Sequence, residues 1–451
     1  MAKNRFITVL KWDNASRAFI PVVQIQPLEQ AFPNGPIRVE PVRLGHSLNK
    51  TGLVKSTTNK RLPPRIADLL PGQFAEKLLE AADINWSGLS EFMKLYELGS
   101  RNMGAYQIVA IDRDSNQPIV GTEKLEGLFQ KLHVALSLNE LEDIFTNDNF
   151  YSLTATTGSQ PKIEYQDEVG NRYVAKTVKP SYGNLAAGHV KVEHALNLMQ
   201  KAAGISTAES KLHICKNGQA ILLSQRFNLE EPIFQKGSNI ADHNVKQDSI
   251  SFKTMSAIAY SEGHQLNPAK GSYTDLIACI KLYSSDPEND KRELLKRALF
   301  NVVVNNTDNH DRNFELLENK DGTGFRLSPN FDVTPDVGRA PFQIAISKMH
   351  TSQQMIYFNE QFFDVISKEF EVSKEEVKEY AARISAVVDN RLDFFKASGM
   401  TDEEINYFQP AFLSSDRLFQ DKEYQNKPMF QQWTQFLSES SPEKKNSLRP
   451  E

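Results

Sequence analysis

A short polar cluster within residues 301–314 most constrains what this chain can fold into. Apolar residues over 293–304 predict a helix, which runs directly into a loop too polar for any core. In that loop Asp308 and Asn313 lie five positions apart. Kinase catalytic loops use this spacing to place a carboxylate at the substrate hydroxyl and an amide oxygen on Mg²⁺. From this stretch alone, a polar loop with Asx turns that ends a helix is an equally good interpretation.

A second acidic position follows a predicted hairpin. Residues 321–324 (Asp-Gly-Thr-Gly) form its turn, and Asp332 lies just past the apolar strand that comes next. Mg²⁺ prefers a few hard oxygen ligands, so one carboxylate, one amide oxygen and nucleotide phosphates would be sufficient. Asp332 is therefore the expected second metal-holding residue, together with Asn313.

Composition excludes several classes of protein. The 451 residues are enough for two domains or for one large two-lobed domain, and the net charge of −5 argues against nucleic acid or an anionic membrane as a direct ligand. Two cysteines, Cys215 and Cys279, predict neither a disulfide framework nor a zinc site. Neither a signal-peptide core nor a run long enough to span a membrane is present. The sequence predicts a cytoplasmic protein.

One glycine flanked by hydroxyl residues separates two strand-like runs. Thr157, Gly158 and Ser159 form a segment whose backbone N–H groups could face phosphate oxygens. A simple hairpin turn has the same composition and remains an alternative for this segment.

A lysine and a glutamate follow on a predicted strand and helix. Lys176 lies among apolar residues of a strand, and Glu193 lies near the start of a helix predicted over 190–203. Their order resembles the lysine–glutamate pair that holds nucleotide phosphates in kinases. The alternative is a solvent-facing lysine and a first-turn glutamate favoured by the helix dipole.

The next apolar strand, 221–228, carries Gln225 and Phe227 near its end, where a linker would offer backbone groups to adenine. Helices dominate beyond it. Two capping boxes, Ser373-x-x-Glu and Thr401-x-x-Glu, begin late helices. The predicted fold class is therefore α+β, with a mostly β N-terminal lobe and a mostly α C-terminal lobe.

All six features occur in protein-kinase order, and the chain resembles the HipA-type toxin kinases of bacterial toxin–antitoxin systems. The segments that carry the resemblance are Gly158-Ser-Gln-Pro-Lys162, Val174-Ala-Lys176, Gln225-Arg-Phe227, Asp308-Asn-His310-Asp-Arg-Asn313-Phe and Leu327-Ser-Pro-Asn-Phe-Asp332, with weaker ones at Ala67–Pro71 and Gly99–Ala105. They span residues 65–335, whereas the first sixty residues match poorly.

The resemblance implies a two-lobed, protein-kinase-like fold with an extra N-terminal subdomain. A change of pattern near residue 115 separates that N-terminal subdomain (1–115) from the rest of the N-terminal lobe with the phosphate loop and ATP lysine (116–230), and an α-helical C-terminal lobe (231–438) follows. The polar composition of 439–451 predicts a disordered tail. The resemblance further implies ATP- and Mg²⁺-dependent phosphorylation of serine or threonine on a protein. An aminoacyl-tRNA synthetase is the family's best-known target, and its phosphorylation arrests translation and growth.

The resemblance also assigns roles. Asp308 would be the catalytic base, for which a carboxylate with an ordinary pKa is suitable. The nucleotide would contact Thr157, Gly158, Ser159, Lys176, Gln225, Phe227, His310, Asn313 and Asp332, the last two also holding Mg²⁺, with His310 bracing the loop. A small helix-turn-helix antitoxin, resembling HipB, would be the partner and would supply any DNA binding.

Two positions depart from the family pattern. Ala155 replaces a serine whose autophosphorylation silences many members, which leaves Thr154, Thr156, Thr157 and Ser159 as candidate autophosphorylation sites. Asn228 stands where an aspartate often contacts ribose. A kinase of this fold with a non-toxic substrate, or an inactive module that binds a regulatory partner, therefore remains an alternative.

Overall fold

The computed structural model describes residues 5–13, 16, 18–27, 37–42, 57–59, 61–70, 85–98, 101–103, 106–112, 117–118, 135, 137–146, 162–178, 183, 185–229, 232–234, 241–243, 247–266, 271–338, 340–347 and 356–419. The predicted phosphate loop, with Thr154, Ala155, Thr156, Thr157, Gly158 and Ser159, lies outside these residues. So does the predicted tail, 439–451.

The N-terminal region is an antiparallel sheet of seven strands. Strands β1 (Arg5–Asp13) and β2 (Ala18–Pro27) form its central hairpin because alternate side chains, such as Ile7 and Val9, are buried on one face. The other strands are β3 (Ile37–Pro41), β4 (Thr57–Asn59), β5 (Arg101–Met103), β6 (Tyr106–Asp112) and β7 (Gln117–Pro118), in the order β4-β3-β2-β1-β6-β5 with β7 beside β6. Helices α1 (Pro64–Ala67) and α2 (Glu91–Glu97) contribute to the same apolar core.

A second antiparallel sheet of four strands follows. It contains β8 (Lys162–Gln166), β9 (Arg172–Lys176), β10 (Ser210–Ile214) and β11 (Ala220–Gln225), in the order β10-β11-β9-β8. Helix α3 (Leu138–Thr146) buries Leu141 and Phe145 against this sheet, and α4 (Ala186–Ala202) packs on β11. Helix α4 ends at the predicted glycine, since Gly204 has a φ of +73° that disfavours any side chain.

The C-terminal region is mainly helical. Strands β12 (Pro232–Phe234) and β13 (Ala241–His243) form a small ribbon; β14 (Ser249–Ser251), β15 (Glu315–Glu318) and β16 (Phe325–Leu327) form a three-stranded sheet. The helices are α5 (Phe252–Ser261), α6 (Tyr273–Tyr283), α7 (Pro287–Val303), α8 (Glu360–Phe370), α9 (Lys374–Asp389), α10 (Arg391–Ala397), α11 (Asp402–Phe408) and α12 (Ser415–Leu418), with 3-10 turns at Asp311–Asn313 and Gln409–Ala411. Both predicted capping boxes are present.

Helix α7 begins earlier than the apolar pattern predicts, at Pro287 instead of residue 293. The side chain of Asp286 accepts the N–H of Asn289, and proline at the first helical position needs no donor. The first two turns include Asp290 and Lys291, which are buried and pair with Arg326 and Glu371. Because buried charges do not contribute to an apolar pattern, hydrophobic periodicity alone misses these turns.

Buried ions connect the N-terminal sheet to the three-stranded sheet. Lys11 Nζ lies 2.6 Å from Glu318 Oε2 and 3.7 Å from Asp248 Oδ2. Arg65 pairs with the other oxygen of Asp248, and the Tyr106 hydroxyl donates to Asp248 Oδ2 over 2.7 Å. We call Lys11, Arg65, Asp248 and Glu318 the inter-sheet network. Each of these residues is at most 9% exposed, so the polar contact between the N-terminal sheet and the three-stranded sheet is shielded from solvent.

The predicted α+β class is confirmed by this arrangement of sheets followed by helices. Within the described ranges, no helix is both long enough and apolar enough to cross a membrane.

Candidate active site

A lysine held between two carboxylates lies where the four-stranded sheet meets the helical region. Lys176, the last residue of β9, places Nζ 2.5 Å from Glu193 Oε1 and 2.5 Å from Asp332 Oδ1. Helix α4 supplies Glu193, and the segment after β16 supplies Asp332. The lysine–glutamate pair suggested by sequence order is therefore formed.

A second lysine contacts the same aspartate. Lys162 is directly opposite Lys176 on the neighbouring strand β8, so the two side chains lie on one face of the sheet. Its Nζ is 3.6 Å from Asp332 Oδ2. We call Lys162, Lys176, Glu193 and Asp332 the lysine cluster.

The two carboxylates of the lysine cluster are not equivalent. The ammonium of Lys176 holds the pKa of Asp332 well below its usual range, in spite of burial. Burial raises the pKa of Glu193 although Lys176 opposes it. The pKa of Lys176 is raised, since Asp332 and Glu193 outweigh the burial that alone would lower it. At neutral pH the cluster therefore contains a fully charged Lys176–Asp332 pair.

The backbone of Asp332 is strained. Its φ is +59°, in the left-handed region that few residues other than glycine adopt. Such strain is concentrated at functional sites, where surrounding contacts impose it. Here the preceding ring, Phe331, packs against Phe227 with centroids 5.8 Å apart, which joins the predicted adenine linker to the predicted metal residue. Gln225 lies two residues before Phe227, at the end of β11.

The predicted catalytic loop starts where α7 ends and Asn305 takes a left-handed φ of +54°. Tyr273 of α6 supports this loop from inside the core. Its hydroxyl accepts the amide N–H groups of Asn301, over 3.2 Å, and Asn309, over 2.9 Å. Asn306 Nδ2 donates in turn to Asn301 Oδ1 over 3.0 Å. Buried amides thus fix the loop on both sides of Asp308.

Asp308 projects outward from this fixed loop and is exposed. Gln343 donates from Nε2 to Asp308 Oδ1 over 2.5 Å, and its backbone N–H donates to the Thr307 carbonyl over 3.0 Å. The Thr307 hydroxyl donates to Asp336 Oδ2 over 2.7 Å. Hydrogen bonds therefore hold the segment after Asp332 against the predicted catalytic loop. One oxygen of Asp308 accepts the bond from Gln343, and the other accepts no hydrogen bond from the described residues.

Partial burial raises the pKa of Asp308. Nearby His310 opposes this change, whereas the negative charges of Asp332 and Asp336 reinforce it. The sequence shows neither this partial burial nor the neighbouring carboxylates, so the direction of the pKa shift could not be read from it. His310 also lowers the pKa of Asp332, so its ring lies within electrostatic reach of both aspartates.

Asn313 and His310 both carry polar atoms that the fold leaves unused. The Asn313 side chain makes no hydrogen bond to another described residue, although the residue is buried. His310 Nδ1 is buried and likewise has no partner in the described part of the chain. The backbone carbonyl of His310 accepts the N–H of Asn313 over 2.9 Å. Both side chains have capacity for a ligand.

Asn228, the departure in the linker, is used locally. Its Oδ1 accepts from Arg226 Nε over 3.0 Å, and Arg226 also pairs with Glu164 of β8. The side chain therefore stabilises the strand end in place of the ribose contact that aspartate would make.

Three neighbours of the site were not predicted: Lys162, Tyr273 and Gln343. Lys162 belongs to a segment that carries the resemblance, but the resemblance assigns it no role; its place in the strand-like run before that of Lys176 is the signal that indicates one. Tyr273 and Gln343 stand in unremarkable sequence, and only the tertiary structure brings them to the loop.

Comparisons with known proteins agree with this architecture. A family model described as the HipA-like C-terminal domain matches residues 154–391, just over half of the chain. The solved complex of Shewanella oneidensis MR-1 HipA with HipB and operator DNA contains a chain with a TM-score of 0.60 at 13% identity, over 89% of this chain and 94% of that one. The Helicobacter pylori proinflammatory kinase CtkA aligns at 12% identity over 55% of this chain and 92% of its own, with a TM-score of only 0.35. No curated protein matches the chain. The family model and the Shewanella chain confirm the predicted two-lobed, protein-kinase-like fold.

Proposed function

The chain belongs to the family of HipA-type proteins, and from this premise we propose that it is an ATP- and Mg²⁺-dependent serine/threonine protein kinase. The observation that best supports this proposal is the lysine cluster beside Asp308. Lys176 pairs with Glu193, as the phosphate-binding lysine of protein kinases does, and also contacts Asp332.

The residues present fit a magnesium ion. Asp332 offers a carboxylate that Lys176 keeps ionised, and Asn313 offers an amide oxygen that no described residue occupies. These are hard oxygen donors, and few are needed because nucleotide phosphates and water complete the coordination. Mg²⁺ bound there would neutralise charge on the phosphates during transfer.

The chain's own residues account for the remaining steps. Lys176 would bind the α- and β-phosphates. Asp308 would accept a hydrogen bond from the substrate hydroxyl through the oxygen that Gln343 leaves free. The hydroxyl oxygen forms a bond to the γ-phosphorus as the bond to the β–γ bridging oxygen breaks; its proton passes to Asp308 and ADP leaves. A raised pKa makes the ionised Asp308 carboxylate a better proton acceptor.

We further propose that the protein acts as a cytoplasmic growth-arresting toxin that a small helix-turn-helix antitoxin neutralises. The Shewanella structure is a toxin–antitoxin complex with HipB on operator DNA, which supports a partner of this kind. DNA would then be reached only through the antitoxin. An aminoacyl-tRNA synthetase is the first substrate to test.

The central test is the intact mass of the protein and of candidate substrates after incubation with ATP and Mg²⁺. We expect Asp308→Asn to lower the rate of phosphate incorporation by about 100-fold or more, since general bases contribute roughly 10² to 10⁴. Asp311→Asn, three residues along the same loop, is the matched control and should retain activity. Equal rates for Asp308→Asn and wild type would reject the kinase.

Peptide mapping of any phosphorylated product would assign the acceptor among Thr154, Thr156, Thr157 and Ser159 or place it on the substrate. Growth on expression, with and without an adjacent helix-turn-helix gene, tests the toxin proposal separately. An active kinase without growth arrest would favour a non-toxic substrate.

A further inference from the structure

Three potential metal ligands meet at the outer edge of the four-stranded sheet, outside the candidate active site. His213 is near the end of the edge strand β10, and Cys215 follows two residues later. Alternate residues of an extended strand share a face, so both side chains are directed to the same side. Glu142 of α3 approaches from the helix that covers this edge.

The donor atoms are already close. His213 Nε2 lies 2.7 Å from Glu142 Oε1, and one ligand atom from each of Glu142, His213 and Cys215 lies within 4.8 Å of the other two. Tetrahedral Zn²⁺ has bonds of about 2.0 to 2.3 Å, which separates its donors by roughly 3.3 to 3.8 Å. Side-chain rotations that move the donor atoms by about 1 Å would therefore be enough to enclose an ion.

The site is sheltered and partly preoriented. Cys215 is 4% exposed, and its backbone N–H donates to the Gln219 carbonyl over 2.8 Å, which closes the turn that follows the strand. The backbone N–H of Lys216 donates to the Glu142 carboxylate. Partners of this kind hold metal ligands in place.

The simplest alternative is a glutamate–histidine hydrogen bond above an inert thiol. That arrangement would leave the buried sulfur of Cys215 next to the carboxylate of Glu142 with no cation between them. A divalent cation bound by the three groups would displace the thiol proton and offset the charge of the carboxylate.

We propose that Glu142, His213 and Cys215 bind one Zn²⁺ ion, with water as the fourth ligand. One sulfur, one nitrogen and one oxygen donor suit Zn²⁺ and disfavour Mg²⁺ or Ca²⁺, which prefer oxygen ligands alone. Binding releases the thiol proton to solvent. The two cysteines did not predict zinc because a histidine and a glutamate, the latter distant in sequence, complete the set.

The ion would clip helix α3 to edge strand β10. This sheet also carries Lys176 in β9, two strands away, so the clip would stabilise the sheet that presents the lysine. The proposal does not depend on kinase activity, because none of its residues belongs to the lysine cluster or to the catalytic loop.

The test is a titration of the metal-free, full-length protein with Zn²⁺ in competition with a chromophoric chelator. We expect one equivalent to bind, and Cys215→Ser and His213→Gln each to weaken binding by more than about 100-fold, since loss of even an outer partner costs about 10- to 100-fold. Cys279→Ser is the matched control, because Cys279 is the other cysteine and is buried in α6. It should bind as wild type does.

Co²⁺ provides a second measurement. We expect a thiolate-to-cobalt charge-transfer band in wild type and Cys279→Ser that is absent from Cys215→Ser. Weak binding of several equivalents, equal in all variants, would mean an adventitious ion only and would overturn the proposal. If Cys215→Ser proves unfolded in a thermal melt, His213→Gln, which can still donate to Glu142, decides the outcome.

Discussion

Two clusters of the molecule contain the same kinds of ions and differ in how completely those ions are enclosed. The inter-sheet network and the lysine cluster each bring two cations to two carboxylates. The Asp248 side chain is 2% exposed in the first, whereas the Asp332 side chain is 32% exposed in the second. In the inter-sheet network, the Tyr106 hydroxyl donates a further hydrogen bond to Asp248. In the lysine cluster, Asp332 has a strained backbone, and Lys162 lies farther from its carboxylate than Lys176 does. The enclosed inter-sheet network stabilises the contact between two sheets. In the more exposed lysine cluster, a ligand can take the place of a lysine.

The largest expected effect is a loss of stability when the inter-sheet network is broken. Asp248→Asn would leave Arg65 and Lys11 buried with too little negative charge, and removing one partner of a buried ion pair typically costs about 3 to 5 kcal/mol. Urea unfolding followed by circular dichroism should show that loss in the free energy of unfolding. Arg38→Ala is the control, because its pair with Glu40 is about half exposed and should contribute little. A loss below about 1 kcal/mol for Asp248→Asn would contradict the comparison.

In the lysine cluster, we expect a substitution to lower the activity and to change the stability little. Asp332→Asn keeps a residue type that tolerates positive φ and preserves side-chain shape, while Lys176 retains Glu193. The phosphoryl-transfer rate should fall about 100-fold or more, as when one electrostatic contact to a transition state is removed. The free energy of unfolding at pH 7 should change by less than about 1 kcal/mol. A large loss of stability with full activity would reverse the assignment of the two clusters.

A smaller effect is expected at Gln343. Its Nε2–H group holds Asp308 Oδ1 in place, so Gln343→Ala should leave the carboxylate less well oriented and lower the maximal rate by about 10-fold. The same contact stabilises the charged form of Asp308, so its loss should also raise the pKa of that carboxylate further. Because Asp308 must be ionised, the acidic limb of the pH–rate profile should move to higher pH. A variant with an unmoved profile would mean that the contact is not made in the working enzyme. Gln343→Glu would add a negative charge and move the limb further in the same direction.

The smallest effect concerns the pH dependence of stability. The folded-state pKa of Asp332 is depressed, so this residue contributes stability above its unfolded pKa, about 4, which is lost as the pH falls through and below that value. The difference in unfolding free energy between wild type and Asp332→Asn should therefore shrink from pH 6 to pH 3. Paired urea titrations at these pH values would measure it. An increase towards low pH would contradict the Lys176–Asp332 pairing.

Local sequence patterns predicted the parts of the candidate site that local chemistry specifies. Asp308, Asn313 and Asp332 lie in short polar segments next to apolar elements, and the hairpin and helix caps between them have clear signals. The capping signal Asp286-Pro287 was present as well, but it precedes a charged face that the apolar pattern did not include.

The remaining contacts depend on residues far apart in the chain. The bond from Gln343 to Asp308 spans 35 positions, and that from Lys11 to Glu318 spans 307. No periodicity records such pairings. The left-handed backbone of Asp332 was equally inaccessible to sequence reasoning, since the contact of Lys176 with Asp332 and that of Phe227 with the preceding Phe331 both join distant parts of the chain.

The position of Lys162 directly opposite Lys176 has a consequence for how relatives of this protein can diverge. Without the carboxylate of Asp332, two ammonium groups would face each other across neighbouring strands with only Glu193 between them and the core. A lineage that abandoned the proposed chemistry would then keep two like charges that no longer serve a function, at a small cost in stability. We expect such lineages to have asparagine or glycine at position 332, which tolerate its backbone, and to have lost the positive charge at position 162 in the same branch.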